Sequence, residues 1–465
     1  MINKLIDNYI IKTIAPFFQK EDCRAYIVGG FLRDCLTNKH SCDVDIVVEN
    51  SCAKVIAQKL ADCINGYFVE LDDLNKIYRV VFDDKKNYVD VAQCVGKNIE
   101  QDLKRRDFTM NALAYDLKEN VAIDVTNGVD DINNNVIREI SEFNITDDPI
   151  RILRAFRFQS EFGFEFSDEL KRILKKHNLS ILKTAKERIN TELLKLFGGK
   201  YVVEVLKSMD SYGILELILP IVSDIKKIPP NSHHHLNLFE HSLETVKQVQ
   251  LYYDNACEEV KEHLDEELFA GYKRIAYLKL GAFLHDVGKP STWQIEPETG
   301  RHRFIMHDSV GAKVIVPYLK DLKFSKKQIA YIQKIIKNHI YPAGVVTSDE
   351  ASEKAYMRFF RKMENEVIDL IAVAYGDRMS ALGPDITDEV VEKNIKGLEK
   401  LLHLYLEQKN KLEPLPKLLD GNDIMQILGI GQSRKLGEII QKLKEAQLSS
   451  EVTTKDDAID FIKKL

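Results

Sequence analysis

No apolar run in this chain approaches the length needed to cross a bilayer. The opening stretch MINKLIDNYIIKTIAPFFQK has helical periodicity without the small-residue cleavage site of a signal peptide. Neither a membrane protein nor a secreted precursor is expected. Cysteine is scarce: seven in 465 residues, an odd number with no CxxC pair, which argues against a disulfide framework and fits a reducing cytoplasm. Nor is positive charge in excess. The net charge is −6, so a nucleic-acid partner would have to be held by a local basic surface rather than by the overall field. Internal repeats and low-complexity tracts are missing too, and 45% hydrophobic with 30% charged residues is the balance of a soluble globular chain of several domains.

What is there changes character once. Up to residue 135, short β-rich runs (AYIVGG, VDIVV, GYFVEL, YRVVF, YVDVA, NALAYDL) alternate with helical stretches. Beyond that point PIRILRAFRFQSEFGF, ELKRILKKHNLSIL and TAKERINTELLKLFGG carry apolar residues at i, i+3, i+4 spacing, the last ending on a glycine pair suited to a helix terminus. The expected fold is an α/β head, a mixed sheet flanked by helices, followed by an extended all-α body. Boundaries are expected at 1–135 for the head, 136–228 for a neck and body, 229–380 for a second helical section and 381–465 for a tail. KKIPPNSHHHLN reads as the linker opening the histidine-rich second section.

The chemistry begins at SCDVDIVV, residues 41–48, where Asp43 and Asp45 stand two apart at the edge of a strand. They share one face, so both can stay ionised only with a cation between them, and Mg²⁺ suits one or two carboxylates completed by water and phosphate oxygens. Two unrelated acids at a solvated strand end remain open on these residues alone. Gly29 and Gly30 follow a strand, with Arg33 and Asp34 one turn into the next helix; a glycine pair lets backbone approach phosphate, although a tight turn has the same signature. YVDVA places Asp90 on a later strand as a third carboxylate. LKRRDFTMNALAYD supplies Arg105, Arg106 and Asp107, with Asn111 one turn on, and two adjacent arginines suit a triphosphate. An acid pair on a strand, a Gly-Gly turn and a basic motif together describe metal-assisted nucleotidyl transfer.

GGFLRD, DVDIVV and RRDFTMNALAYD, in that order, closely resemble the head motifs of the class II tRNA nucleotidyltransferases, the CCA-adding family with its bacterial poly(A) polymerase relatives. The resemblance implies Asp43, Asp45 and Asp90 as catalytic carboxylates, with Mg²⁺ on Asp43 and Asp45. It implies Gly29, Gly30, Arg33, Asp34, Arg105, Arg106, Asp107 and Asn111 as nucleotide-binding. TDDPIRILRAFRF resembles the stretch in which the family reads the incoming base with amino acids, here Asp148 and Arg151, three apart on one helix face, with Arg154 beyond. Asp147 stands where the family commonly has Glu, a role that orients Arg151. ERINTELLKLF is similar to the family's neck helix, and DVTNGVDDI, with Asp124 and Gly128, to the springy segment between head and neck. The resemblance also implies tRNA, CTP and in some members ATP as partners. A surface ion pair is the plainer reading of Asp148 and Arg151.

The second section resembles HD-domain phosphohydrolases through His241, the His285–Asp286 dyad and Asp377, which implies a transition metal. His307 and His339 fall where larger members carry extra ligands, as second-metal ligands or as capping or core histidines. His233, His234 and His235 receive no role. Basic residues in the neck (Lys171, Arg172, Lys175, Lys176, Lys183, Lys186, Arg188) and GIGQSRKLG in the tail would suit tRNA phosphates. Between YVDVA and RRDFT, where CCA- and A-adding relatives carry a flexible loop, only QCVGKNIEQDLK intervenes. Such a shortening marks the CC-adding branch, which leaves the terminal A to a separate A-adding enzyme; full CCA addition, A addition and poly(A) polymerase activity are the alternatives. A reading of another class makes the chain an HD phosphohydrolase with a non-catalytic head.

Overall fold

Six runs rich in Val, Ile, Tyr and Phe form β1 (Arg24–Val28), β2 (Val44–Glu49), β3 (Tyr67–Asp72), β4 (Ile77–Val81), β5 (Tyr88–Gln93) and β6 (Leu113–Asp116). A three-residue strand, β7 (Ala122–Asp124), is too short to leave a periodic signal. These elements come from a computed structural model, which describes residues 8–39, 43–347, 353–409, 416–448 and 451–465. Ser41 and Cys42, which open the acid-pair stretch, lie outside the described residues. The strands form one mixed sheet in the order β3-β4-β5-β2-β1-β6-β7. Only β2 and β5 run parallel, and their register sets Asp45 opposite Asp90.

Helices α1 (Tyr9–Lys20), α2 (Gly30–Leu36), α3 (Ala53–Cys63) and α4 (Ile99–Lys104) accompany the sheet, and a short α5 (Gly128–Asn133) follows it. Asp124 organises the turn before α5 by accepting from the amides of Thr126, Gly128 and Val129. Then come α6 (Glu142–Asp147), α7 (Ile150–Phe162), α8 (Asp168–His177) and α9 (Lys186–Gly198). Helix α7 stops at Gly163, whose φ of 70° is left-handed. Its Phe158 meets Phe108 edge to face at 5.7 Å between centroids, both rings fully buried. Burying each such ring stabilises by roughly 1.5–3 kcal/mol, which pins the RRDFT segment to α7.

The chain divides into two compact units, Met1–Leu219 and Pro220–Leu465. In the second, α10 (Leu238–Asn255), α11 (Arg274–Phe283), α12 (His307–Val314), α13 (Lys326–Asn338) and α14 (Val367–Ser380) pack around a helical core, followed by α15 (Asp388–Gln408). The tail helices α16 (Gly421–Leu428), α17 (Arg434–Leu448) and α18 (Lys455–Lys463) enclose a small core that includes Ile424, Ile439, Leu443 and Ile462. No helix among the described residues is long and apolar enough to cross a membrane.

Candidate active site in the head and candidate metal centre in the HD section

Registered residues on neighbouring strands face the same side, so Asp45 and Asp90 stand next to each other, with Asp43 two residues before Asp45. Solvent reaches Asp45 through the mouth of a cleft, yet the protein around it and, next, the charge of Asp90 raise its carboxyl to about 6, against the pull of Arg106. A carboxylate held this far up is one that a bound cation would relieve. Asp90 is already paired: Arg79 of β4, opposite it in register, donates Nε and Nη2 to its two oxygens at 2.7 and 2.8 Å. Tyr88 donates its hydroxyl to Asp43 and lies under the Arg79 guanidinium. Neither Arg79 nor Tyr88 was singled out in the sequence, because Arg79 reaches the site through the register of β4 with β5, and Tyr88 through that of β5 with β2. Asp43 and Asp45 line the cleft and fit a hard cation; Asp90 does not line it.

The cleft has a volume of about 390 Å³ and gathers Gly29, Gly30, Arg33, Asp34, Asp43, Asp45, Arg106, Asp107, Asn111, Asp148, Arg151 and Arg154. Gly29 is required there: its φ is 73°, and a Cβ would stand 2.8 Å from Nη1 of Arg106. Arg106 is aimed by Asp102, a fully buried carboxylate that takes Arg106 on one oxygen and Arg105 on the other. The two arginines therefore diverge. Arg106 lines the cleft, whereas Arg105 lies outside its lining with half its side chain in solvent, which corrects the expectation of a paired grip.

Behind them runs a chain of charge-assisted hydrogen bonds. Arg33 donates to Asp34 and to Asn111 (2.7 Å), and Asn111 donates to Asp107 (2.9 Å). Asp107 also accepts from Arg154 Nε at 2.7 Å and from its own segment's Phe108 amide. Burial alone would raise the Asp107 carboxyl, but Arg154 and then Asn111 bring it down to about 2. The sequence motif residues Arg33, Asp107 and Asn111 thus build the wall of the cleft as well as facing it.

Asp148 departs from expectation. It does not share a helix face with Arg151: it lies between α6 and α7 with extended backbone, φ −128° and ψ 93°, because the residue before a proline is driven from helical geometry by Pro149. Its two oxygens instead accept from Nη1 and Nη2 of Arg188 on α9, both at 2.8 Å. Arg151 donates Nη1 to the backbone carbonyls of Arg105 and Asn144, each at 3.0 Å, and no hydrogen bond places Asp147 as its orienting partner. Arg188, read as part of a tRNA-facing neck, thus belongs to the cleft. Among the other neck cations, Lys171, Arg172 and Lys176 pair with Asp168, Glu169 and Glu142. Arg434 in the tail pairs with Glu438 on its own helix.

In the second unit, His241 on α10, His285 and Asp286 just past α11 and Asp377 on α14 converge. Nε2 of His241 is 3.2 Å from Asp377 and 3.4 Å from Asp286 Oδ2, and Nε2 of His285 is 3.2 Å from Asp286 Oδ2. His307 and His339 join them on the other oxygen, their Nε2 atoms 3.2 and 3.6 Å from Asp286 Oδ1. His285, His307 and His339 each direct Nδ1 to a backbone carbonyl at 2.7–2.8 Å. A carbonyl only accepts, so Nδ1 carries a proton and Nε2 is the nitrogen turned inward, the one a metal would take from the neutral ring; without a cation there, burial opposes but the Asp286 carboxylate favours the charged ring, raising His285 to about 10 and raising His307 as well. Neither oxygen of Asp286 makes a hydrogen bond, though Lys289 Nζ stands 2.5 Å from Oδ2. Inward Nε2 atoms on both oxygens of one buried carboxylate fit one cation on each side of it. Gly288 permits this approach, since a Cβ there would lie 2.0 Å from the His307 carbonyl. His234 packs its ring against His241 and lies 3.2 Å from Lys289, and Arg301 reaches His233, contacts that no spacing rule announces.

Three family profiles match in succession: a poly A polymerase head domain over residues 25–138, a probable RNA and SrmB-binding site of polymerase A over 163–226, and an HD domain over 238–382. An A-adding tRNA nucleotidyltransferase of Deinococcus radiodurans is 28% identical over 447 residues, covering 95% of both chains. A CC-adding tRNA nucleotidyltransferase of Thermus thermophilus is 27% identical, covering 96% of this chain and 94% of its own. In fold, a Thermotoga maritima CCA-adding enzyme solved in complex with tRNA superposes with a TM-score of 0.56 at 20% identity, over 99% of this chain and 97% of that one. With the successive profiles and the full-length relatives in agreement, the chain belongs to the tRNA nucleotidyltransferases of the CCA-adding family, in the form that carries an HD domain.

Proposed function

We propose that the cleft of the first unit adds C residues from CTP to the 3′ end of tRNA and stops after two. The observation that carries the reading is the grouping of Asp43, Asp45, Arg106 and Asp148 around one opening. Mg²⁺ on Asp43 and Asp45 would polarise the α-phosphate and ease loss of the hydroxyl proton from the terminal ribose. Arg106, aimed by Asp102, neutralises the triphosphate, and Gly29 leaves room for the phosphates beside it. The ribose oxygen forms the new bond to the α-phosphorus as the bond to pyrophosphate breaks. Asp148 accepts from the exocyclic amine of the base and Arg151 donates to its ring acceptors. The basic neck and tail would hold tRNA phosphates.

CC addition is favoured over full CCA addition by the connection after β5, only five residues (94–98) before α4. It leaves no long loop to reshape the site from C to A, and several full-length relatives are CC-adding enzymes. The terminal A would then come from a separate A-adding enzyme. The A-adding relative keeps A addition as a second reading. Supplying CTP and ATP together to tRNA lacking its 3′ end, and sizing the product, separates them. Extension by two supports the proposal; extension by three ending in A overturns it, and addition of a single A to tRNA ending in CC points to the second reading.

For the second unit we infer a metal-dependent phosphohydrolase, on the inward Nε2 atoms of four histidines about Asp286. Hydrolysis of a 2′,3′-cyclic phosphate or a phosphomonoester, dependent on a transition metal and lost in His285→Ala with head activity intact, is the expected result. Purified protein without metal and without hydrolysis across divalent ions would contradict it.

A further inference from the structure

Helices α7 and α9 face each other through ion pairs. Glu192 takes Arg157 at 3.1 Å and Arg154 at 3.7 Å. One turn earlier on the same face of α9 stands Arg188, and its partner is not on α7 at all but is Asp148, ahead of Pro149. The geometry there is a parallel fork, with each Nη on a different carboxylate oxygen at 2.8 Å. Such a fork fixes the plane of the carboxylate and occupies one acceptor site on each oxygen, so the remaining lone pairs point in set directions. Arg151 plays no part in this, being held by two backbone carbonyls.

We infer that Arg188 is a positioning residue for base selection: its bidentate hold on Asp148 sets the direction from which that carboxylate accepts the amine of an incoming base. The inference rests on the nucleotidyl-transfer reading of this cleft. Asp148 stands at the junction of α6 and α7, where its carbonyl takes the Arg151 amide at 3.0 Å and its carboxylate feels the Ile150 amide; the fork from α9 is the contact that grips both carboxylate oxygens and so sets their plane. Side-chain exposures of 54% for Arg188 and 31% for Asp148 make the pair worth little as a stabilising rung, since half-exposed ion pairs contribute weakly to folding. Uracil carries an acceptor where cytosine carries the amine. An Asp148 free to swing would lose the directional contact that distinguishes them.

The test compares kcat/KM for CTP and UTP on tRNA lacking its 3′ end in the wild type, Arg188→Ala, Arg188→Lys and Asp148→Ala. Melting temperature and the affinity for inorganic tripolyphosphate, a probe with no base, are measured alongside. Arg188→Ala is expected to lower the CTP-over-UTP preference by about tenfold or more, and Arg188→Lys, which restores charge without the fork, by an intermediate factor. Tripolyphosphate affinity should stay within about twofold, because the fork touches no phosphate. A preference kept within about twofold in Arg188→Ala while Asp148→Ala loses it would overturn the inference and leave the base-reading role of Asp148 standing. A preference unchanged in Asp148→Ala overturns both, and a wild type that adds no nucleotide overturns the reading of the cleft itself.

Discussion

Replacing Asp107 by Asn tests whether the first unit is joined through a buried charge. The Asp107 carboxyl is buried and is held at about 2, burial opposing and Arg154 then Asn111 prevailing. In the unfolded chain it returns to about 3.9, and two pKa units correspond to about 2.5 kcal/mol of stability at neutral pH. Because the folded value is the lower one, that contribution is complete above about pH 4 and is lost as pH falls towards about 2. The Asn variant keeps the shape but not the charge, and leaves Arg154 facing a neutral amide. Its stability should fall by roughly 2–3 kcal/mol between about pH 5 and 8, and the gap to the wild type should close as pH drops below about 4. Trp293, the single tryptophan, lies in the second unit, so its fluorescence reports on the other half of the chain. Hydrogen exchange of peptides covering residues 150–162, followed through urea at each pH, reads the change where it occurs. A difference that stays constant from pH 7 to pH 3, or one below about 0.5 kcal/mol, would refute the charge-pair account of this joint.

Gly29→Ala should cost about 1–2 kcal/mol through its left-handed φ and should raise KM for CTP several-fold by pushing Arg106 aside, with melting temperature and steady-state kinetics as readouts. Asp286→Asn should strip bound transition metal from the purified protein, measured by elemental analysis, while nucleotide addition by the first unit is unchanged; metal content equal to wild type would contradict the shared role of that carboxylate.

Much of this was legible in the sequence where local pattern decides. The Val/Ile-rich runs became the strands, and the acid pair, the Gly-Gly turn and Asn111 meet in one cleft because each is tied to a strand end or to the turn after it. The histidines and aspartates singled out in the second unit also converge, and His307 and His339 face the same carboxylate. What failed did so where spacing was taken to imply a shared helix. Asp148 and Arg151 are three apart, but Pro149 separates their backbones, so the i, i+3 rule has nothing to act on. Arg188 was invisible as a cleft residue for the complementary reason: its partner is 40 positions away and only tertiary packing brings them together. Arg105 and Arg106 are adjacent in sequence, yet one buried carboxylate, Asp102, sends them in different directions. The pairing of Asp90 with Arg79 depends on register between strands, which one sequence does not display.

The most direct test of nucleotidyl transfer by this cleft falls on Asp43 and Asp45. Asp43→Ala and Asp45→Ala, each incubated with Mg²⁺, CTP and tRNA lacking its 3′ end, are predicted to add no C residues while the melting temperature and the affinity for tRNA stay close to wild type, since no neighbouring side chain replaces a carboxylate in holding the cation. Addition by both variants at a rate near that of the wild type would contradict it.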